Sequence, residues 1–335
     1  MIVDARAPTR VDLAGGTLDI HPICLIEDDA WTINAAVDIP VSVRVATTRK
    51  GFAVVSQDLG QRVKVDSLDA LPVGGPLDLP CRALRFAAPK TGVTVTLAST
   101  APPGSGLGAS SALLVALLGS LDRLRRRARP LDDLVATAWR LETQSLRTLT
   151  GRQDHLAAAY GGVSAIRFGA DGDHIEPLLA APALRAALQD RLALIYTGRP
   201  HASGVTNWGV VRAYLDGAPG VVSRIRSIAA LARGMRDALR AHDIEAVGEL
   251  IAEEWTHRRE LSPGVSTPEI DRALSIARRH GAIGGKACGA GGGGCVVIFT
   301  RDGARRAVES QLRGAGYQVL KMDIAPRGLQ VRTAS

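Results

Sequence analysis

Pro102-Pro103-Gly104-Ser105-Gly106-Leu107-Gly108-Ala109-Ser110-Ser111 is the stretch that decides how this chain is read. It follows VTVTLAS (93–99), whose alternating apolar and polar residues are those of a half-buried strand. It precedes SALLVALLGSLDRL (111–124), apolar on nearly every face, which predicts a buried helix over about 110–126. Glycines at 104, 106 and 108 tolerate positive φ and let successive backbone N–H groups face one concavity. The helix that follows adds unpaired N–H groups and the positive end of its dipole. Together these make an anion site suited to a triphosphate. Pro103, Gly104, Ser105, Gly106, Leu107, Gly108, Ala109, Ser110 and Ser111 are therefore the candidate triphosphate-binding residues. Ser110 and Ser111 fall at the helix start, where a hydroxyl can cap the helix or reach a phosphate-bound Mg²⁺. A tight turn with serine caps is the plainer alternative, but it does not account for three glycines at alternate positions.

Two better-known phosphate motifs do not fit. The Walker A loop requires a lysine that is missing here, and the glycine spacing differs from G-x-G-x-x-G. That fingerprint does occur at Gly289, Gly291 and Gly294, but it precedes a strand, CVVIFT, where it should open a helix. A nicotinamide site is rejected on that ground.

The chain has 335 residues, 46% hydrophobic and 22% charged, which suits two domains or one large one with a substantial core. Net charge is +8, almost all of it from arginine. Arg123, Arg125, Arg126, Arg127 and Arg129 form the densest basic cluster, without interleaved aromatics. It reads as a solvated helix end, so no nucleic-acid partner is expected. No apolar run is long enough to span a membrane, and MIVDARAPTR lacks an apolar signal core, so the expected location is the cytoplasm. Cys24, Cys81, Cys288 and Cys295 form no C-x-x-C pair and are too sparse for a disulfide scaffold.

Strands are expected at VSVRVATT (41–48), GFAVVSQD, QRVKVDS, VSAIRF and LALIYT (192–197), with a turn cluster at LPVGGPLDLP (71–80). A second helix is read at LDDLVATAWRLETQSLRTL. Residues 221–280 and 303–316 read as helical, the first broken by LSPGVSTP (261–268), with Thr267-Pro268-Glu269 as a helix start. YQVLKMDI and GLQVRT read as closing strands. Strands and helices do not alternate regularly, so the fold class is α+β in two domains, with a boundary between 165 and 195 placed at 180/181.

Glu142 lies late in the second helix, and Asp154 in the polar cluster Gly151-Arg152-Gln153-Asp154-His155. Beside a triphosphate loop, one carboxylate can hold Mg²⁺ and the other can orient or deprotonate an attacking hydroxyl. The plainer alternative is a solvated helix residue and a helix cap. His155 reads as a hydrogen-bonded turn histidine.

PPGSGLGASSA (102–112) closely resembles the phosphate-binding loop of the GHMP kinases, the superfamily of galactokinase, homoserine kinase and mevalonate kinase. RAPTRVDLAGGTLD (6–19) and KACGAGGGG (286–294) resemble the same family's N-terminal substrate motif and C-terminal glycine motif. The resemblance implies a two-domain GHMP kinase fold: a ribosomal-protein-like N-terminal domain over 1–180 and a ferredoxin-like C-terminal domain over 181–335. The active site would lie in the cleft between them, with ATP and Mg²⁺ as cofactors. It implies Ser110 or Ser111 and Glu142 as Mg²⁺ residues, and Asp154 as the catalytic aspartate. Arg10 falls near the reacting hydroxyl; an arginine is no base at neutral pH, so its part would be to stabilise charge. Gly15, Gly16, Thr17 and Asp19, with Gly291 and Gly292, become the candidate substrate residues. Asp19 aligns with the aspartate that holds sugar hydroxyls in galactokinases. Gly16 and Thr17 replace the glutamate and histidine found there, which disfavours galactose.

Within the superfamily, A-G-G-x-x-D with GRQDHLAAAYGG (151–162) most resembles D-glycero-D-manno-heptose 7-phosphate kinases, which act on the anomeric hydroxyl. The kinase portion of fucokinases is next. Leu18 departs from the usual serine or threonine before the aspartate. Tyr196-Thr197-Gly198-Arg199-Pro200-His201-Ala202-Ser203 is either a phosphate-binding stretch or an ordinary Arg-Pro loop. A mevalonate-type kinase and a non-catalytic nucleotide-binding regulator are the remaining alternatives.

Overall fold

The computed structural model describes residues 1–200 and 203–334. In chain order it runs β1 (Ile2–Ala14), α1 (Ile23–Ile26), β2 (Ala30–Thr48), β3 (Phe52–Ser56), β4 (Gln61–Val65), α2 (Asp78–Ala87) and β5 (Gly92–Ser99). Then come α3 (Ala109–Leu124), α4 (Leu131–Leu146), α5 (Gln153–Tyr160), β6 (Val163–Gly169), β7 (Gly172–Leu178), α6 (Pro182–Arg191) and β8 (Leu192–Tyr196). The remainder is α7 (Ser203–Leu215), α8 (Pro219–Arg240), α9 (Ile244–Arg258), α10 (Pro268–Arg279), β9 (Ala282–Ala287), β10 (Cys295–Thr300), α11 (Arg305–Gly314), β11 (Gln318–Leu320) and β12 (Gln330–Ala334).

An eight-stranded sheet follows the order β12-β1-β2-β5-β3-β4, with β6 and β7 branching from β2. β2 is long enough to serve two neighbours on one edge: residues 30–35 pair with β6, and residues 41–48 with β5. α3 is apolar all round because it is enclosed. It packs on β1 and β2 and against α2, α4 and α5, so that Leu114, Val115, Leu117, Leu118 and Leu121 are fully buried.

The second sheet has the order β11-β8-β10-β9, all antiparallel. Every residue of β10 is buried, and its alternate side chains enter two cores. Cys295, Val297 and Phe299 join the core shared with the first sheet, whereas Val296 and Ile298 join one built with α10 and α11. That explains an apolar run without alternation. We propose the division of the domains at 180/181, between the end of β7 and the start of β8. β12 then crosses back to pair with β1 as the edge strand of the first sheet.

Several local expectations are corrected. The turn cluster at 71–80 ends inside α2, whose first residue Asp78 accepts from the Gly74 N–H (2.6 Å) and from Arg82 Nε (2.6 Å). β7 and α6 gave no periodic signal in the sequence: β7 is a mostly polar hairpin partner of β6, and α6 buries little besides Leu188 and Arg191. The arginine cluster is not wholly solvated, since Arg129 is sealed against Asp122 with Nε 2.9 Å from Oδ2. α10 does begin at Pro268, with Thr267 Oγ1 accepting from the Ile270 N–H (3.4 Å).

Leu118→Ala is expected to lower unfolding stability by about 2–5 kcal/mol, because the enclosed α3 cannot collapse onto the space left behind. Urea denaturation followed by circular dichroism measures it.

Candidate active site

The loop that leads into α3 lines a cavity of about 520 Å³ that reaches from Asp19 and Asp154 to Asp58, Leu59 and Pro76. Gly104, Gly106 and Gly108 have φ of +62°, +74° and +75°. Three successive carbonyls are taken by protein donors. The Ser105 carbonyl accepts from Cys295 N–H (2.7 Å), that of Gly106 from Arg10 Nη1 (2.6 Å), and that of Leu107 from Arg10 N–H (2.9 Å). In a planar trans peptide the C=O and the following N–H point opposite ways. The N–H groups of Gly106, Leu107 and Gly108 are therefore turned away from those partners.

Arg10 comes from β1 and is almost fully buried. Besides Gly106 it grips Asp154, in the first turn of α5, with Nε 2.8 Å from Oδ1. Burial works to lower the guanidinium pKa, but the Asp154 and Asp12 carboxylates raise it, so Arg10 stays charged. Burial pushes the Asp154 carboxyl above the ordinary carboxylate range; Arg10 opposes this, and Glu142 adds to it. Gly108 is needed for this approach, since a Cβ there would lie 2.9 Å from Asp154 Oδ2.

Glu142, from α4, is buried between three partners. Ser110 Oγ donates to Oε1 (2.5 Å), Ser111 Oγ donates to Oε2 (2.9 Å), and His155 Nε2 lies 3.0 Å from Oε2. Burial works to raise the glutamate's pKa, but His155 and the two hydroxyls bring it below the ordinary value. An ionised carboxylate beside two hydroxyls is a set of hard oxygen donors, which suits a Mg²⁺ that keeps most of its remaining ligands as phosphate and water. Ser111 is buried, whereas Ser110 is exposed.

Asp19 sits at the other side of Asp154, where it accepts from the Gln153 N–H (3.0 Å) and Gln153 Nε2 (3.3 Å). Burial pushes its pKa up to about 6, with the Asp154 charge adding to the shift. Gly151 allows the contact: a Cβ there would fall 1.7 Å from Asp19 Oδ2. Thr17 lines the cavity with a φ of +77°, a conformation that strains a β-branched residue by about 1–3 kcal/mol.

The structure thus gathers Arg10, Thr17, Asp19, Gly104, Glu142, Asp154 and both helix-start serines around one cavity. Gly15, Gly16, Gly291 and Gly292 are not on its wall. Gly292 N–H is bonded instead to the Val265 carbonyl (2.9 Å), and Gly289 and Ala290 line the cavity in place of Gly291 and Gly292. Arg152 turns away to Asp173 (2.8 Å). Arg199 pairs with Glu269 (2.9 Å), and His201 and Ala202 of the same stretch lie outside the described residues.

One cluster escaped the sequence reading. Asp12, Glu254, Arg258 and Lys286 form a buried ionic group where β1, α9 and β9 meet. Lys286 Nζ lies 2.8 Å from Asp12 Oδ2 and 3.0 Å from Glu254 Oε1, and Arg258 Nε donates to Glu254 Oε1 (2.8 Å). Burial works to raise the Asp12 pKa, but Lys286, Arg10 and Arg258 bring it down to about 2. Glu254 and Arg258 stand four apart on a helix, which in sequence is indistinguishable from a surface pair. Lys286, within a glycine motif, was the only available signal.

Comparison with known proteins gives the family. Residues 78–162 match the GHMP kinases N terminal domain, and residues 235–318 match GHMP kinases C terminal. The chain belongs to the GHMP kinase family, a class of phosphotransferases with this two-domain fold. A bifunctional fucokinase/GDP-fucose pyrophosphorylase from Arabidopsis thaliana is 28% identical over 91% of the chain, which spans only 30% of that protein's length. A D-glycero-alpha-D-manno-heptose 7-phosphate kinase from Campylobacter jejuni is 24% identical over 89% of both chains. The crystal structure of a D-glycero-D-manno-heptose 1-phosphate kinase from Bacteroides thetaiotaomicron superposes with a TM-score of 0.81 at 20% identity, covering 99% of each chain. Among the described residues, no helix is long and apolar enough to cross a membrane.

Asp19→Asn tests the buried carboxylate without any ligand. A folded-state pKa near 6, above the ordinary 3.8, gives stability that is complete below about pH 4 and lost as the pH rises through 6. The asparagine variant escapes that loss. Its melting temperature relative to wild type is expected to climb between pH 4 and 7, by the equivalent of at most about 3 kcal/mol. A flat difference across that range would contradict the assignment. Gly151→Ala, read by the same thermal scan at pH 7, is expected to destabilise by displacing Asp19.

Proposed function

We propose that this protein transfers the γ-phosphate of ATP to a hydroxyl of a sugar or sugar phosphate. The observation that carries the reading is the joint of Arg10 to both the Gly106 carbonyl and Asp154, which sets an acid beside a phosphate-type loop. ATP would lie with its triphosphate on the N–H groups of 104–111. Asp154 accepts a hydrogen bond from the attacking hydroxyl. As the new P–O bond forms and the bond to the β-phosphate oxygen breaks, the hydroxyl proton passes to Asp154 and ADP leaves. Arg10 stabilises the charge that develops. Catalysis of this kind is mainly positioning and charge stabilisation. Glu142 with Ser110 or Ser111 would hold Mg²⁺, which supplies charge neutralisation on the β- and γ-phosphates. Both hydroxyls donate to Glu142, and Ser110 is the better placed of the two because it is exposed while Ser111 is buried.

Asp19 and Thr17 give the acceptor side polar groups suited to sugar hydroxyls. The heptose 7-phosphate kinase that matches over 89% of both chains favours D-glycero-D-manno-heptose 7-phosphate as the acceptor, with its anomeric hydroxyl as the proposed site of transfer. A second reading, fucose, is favoured by the cavity wall: among the described residues lining it, Arg10 is the one arginine or lysine, and it is committed to Asp154. A mevalonate-type acceptor has less to recommend it, because Asp19 suits a polyol better than a branched acid. Use of ATP suits a cytoplasmic protein.

A panel of heptose 7-phosphate, fucose, mannose, galactose and mevalonate, read by ADP release, identifies the acceptor. No consumption of ATP with any of them, despite binding of the nucleotide, would point to a regulator instead. Asp154→Asn is expected to lower kcat by about 10²–10⁴ with nucleotide affinity nearly intact. Turnover near that of wild type would remove Asp154 from the chemistry. Ser110→Ala and Ser111→Ala, titrated with Mg²⁺ in separate experiments, are expected to differ, with the metal requirement raised more by the first.

A further inference from the structure

We infer that Arg258, on α9 of the second half of the chain, is a positioning residue for the acceptor loop, which it holds without touching the cavity. Its Nη2 donates to the Gly16 carbonyl (2.5 Å), and its Nη1 reaches Thr17 Oγ1 (3.3 Å). These are the residues just before Asp19, and Thr17 is the one with positive φ. An exposed threonine would relax out of that conformation; here the guanidinium fixes both its own hydroxyl and the preceding carbonyl. Among the described residues lining the cavity, Asp12, Glu254, Arg258 and Lys286 do not appear, so the group acts through the loops it holds. Asp12 extends the same group to a second stretch of the cavity lining, because its Oδ1 accepts from the Gly289 N–H (2.9 Å) and Gly289 lines the cavity.

Buried ion pairs are weak sources of stability. Apolar replacements of similar volume often leave a protein as stable or more so. The pair Arg258–Glu254 therefore calls for a reason other than stability, and among the described residues its hydrogen bonds beyond the ionic group go to residues 16 and 17. The inference deepens the proposed sugar-kinase reading: Arg258 sets the acceptor's affinity through the backbone of 15–20, while the nucleotide loop is held by other groups, Arg10 and the Cys295 N–H.

The test uses the full-length protein with Arg258→Met/Glu254→Gln, which removes both charges of the pair and leaves Lys286 with Asp12. Hydrogen exchange of the amides in 15–20 is expected to quicken about tenfold or more, with α9 and β1 little changed. With the acceptor found by the panel, KM for the acceptor is expected to rise about tenfold, while KM for ATP stays within about twofold. Arg258→Lys, which keeps one donor and the charge, is expected to fall between wild type and the double variant on both readouts, and it decides the matter if the double variant does not fold. Unchanged exchange in 15–20, or acceptor and nucleotide constants that worsen together, would overturn the inference. If wild type phosphorylates no sugar, the sugar-kinase reading fails, but the exchange measurement still decides whether Arg258 holds the loop.

Discussion

The buried guanidinium of Arg10 is the joint on which the rest of the site depends. It binds an element from each of three places in the chain: its own strand β1, the Gly106 carbonyl of the phosphate-type loop, and the Asp154 carboxylate of α5. Its backbone N–H adds a fourth tie, to the Leu107 carbonyl. A cation in this position fixes where the loop's carbonyls point and hence where its N–H groups point. It also compensates the carboxylate most involved in the proposed chemistry. Removing either partner would leave an uncompensated buried charge, typically a loss of about 3–5 kcal/mol. A joint of this kind gives a kinase rigid spacing between donor phosphate and base.

Around that joint the two halves of the chain are interlocked by main-chain bonds. Cys295 N–H, at the start of β10, reaches the Ser105 carbonyl (2.7 Å), and Gly294 packs so closely on Ser105 that a Cβ there would fall 2.6 Å from its carbonyl oxygen. The second glycine-rich loop thus lies directly on the first, and its glycines serve close packing of backbone on backbone. This accounts for a glycine-rich stretch that is not a dinucleotide loop. It also accounts for the position of Gly291 and Gly292 behind the cavity wall.

Much of this was legible in the sequence because it rests on local rules. Alternate glycines before an all-apolar helix, a Thr-Pro-Glu helix start, and an apolar run too short for anything but a buried strand each have one good structural reading. What was hidden depends on tertiary placement. Asp78, which starts α2, sits after a Gly-Pro cluster that reads as turn throughout, and the helix forms because Asp78 is held by Gly74 and Arg82. Glu254, Arg258 and Asp12 look like ordinary charges until three elements converge and bury them together. The meeting of Glu142 with Ser110 and Ser111 likewise depends on α4 folding back beside α3, which no spacing between 111 and 142 could specify.

In the proposed function a lysine-free glycine loop, braced by Arg10, receives the nucleotide's terminal phosphates beside Glu142 and Asp154. A crystal structure with a non-hydrolysable ATP analogue and Mg²⁺ tests it most directly. Phosphate oxygens are expected on the N–H groups of 106–108 and the metal on Glu142 and a helix-start hydroxyl, with Asp154 open towards the acceptor space. A nucleotide bound elsewhere, or a triphosphate that leaves this loop empty, would contradict it.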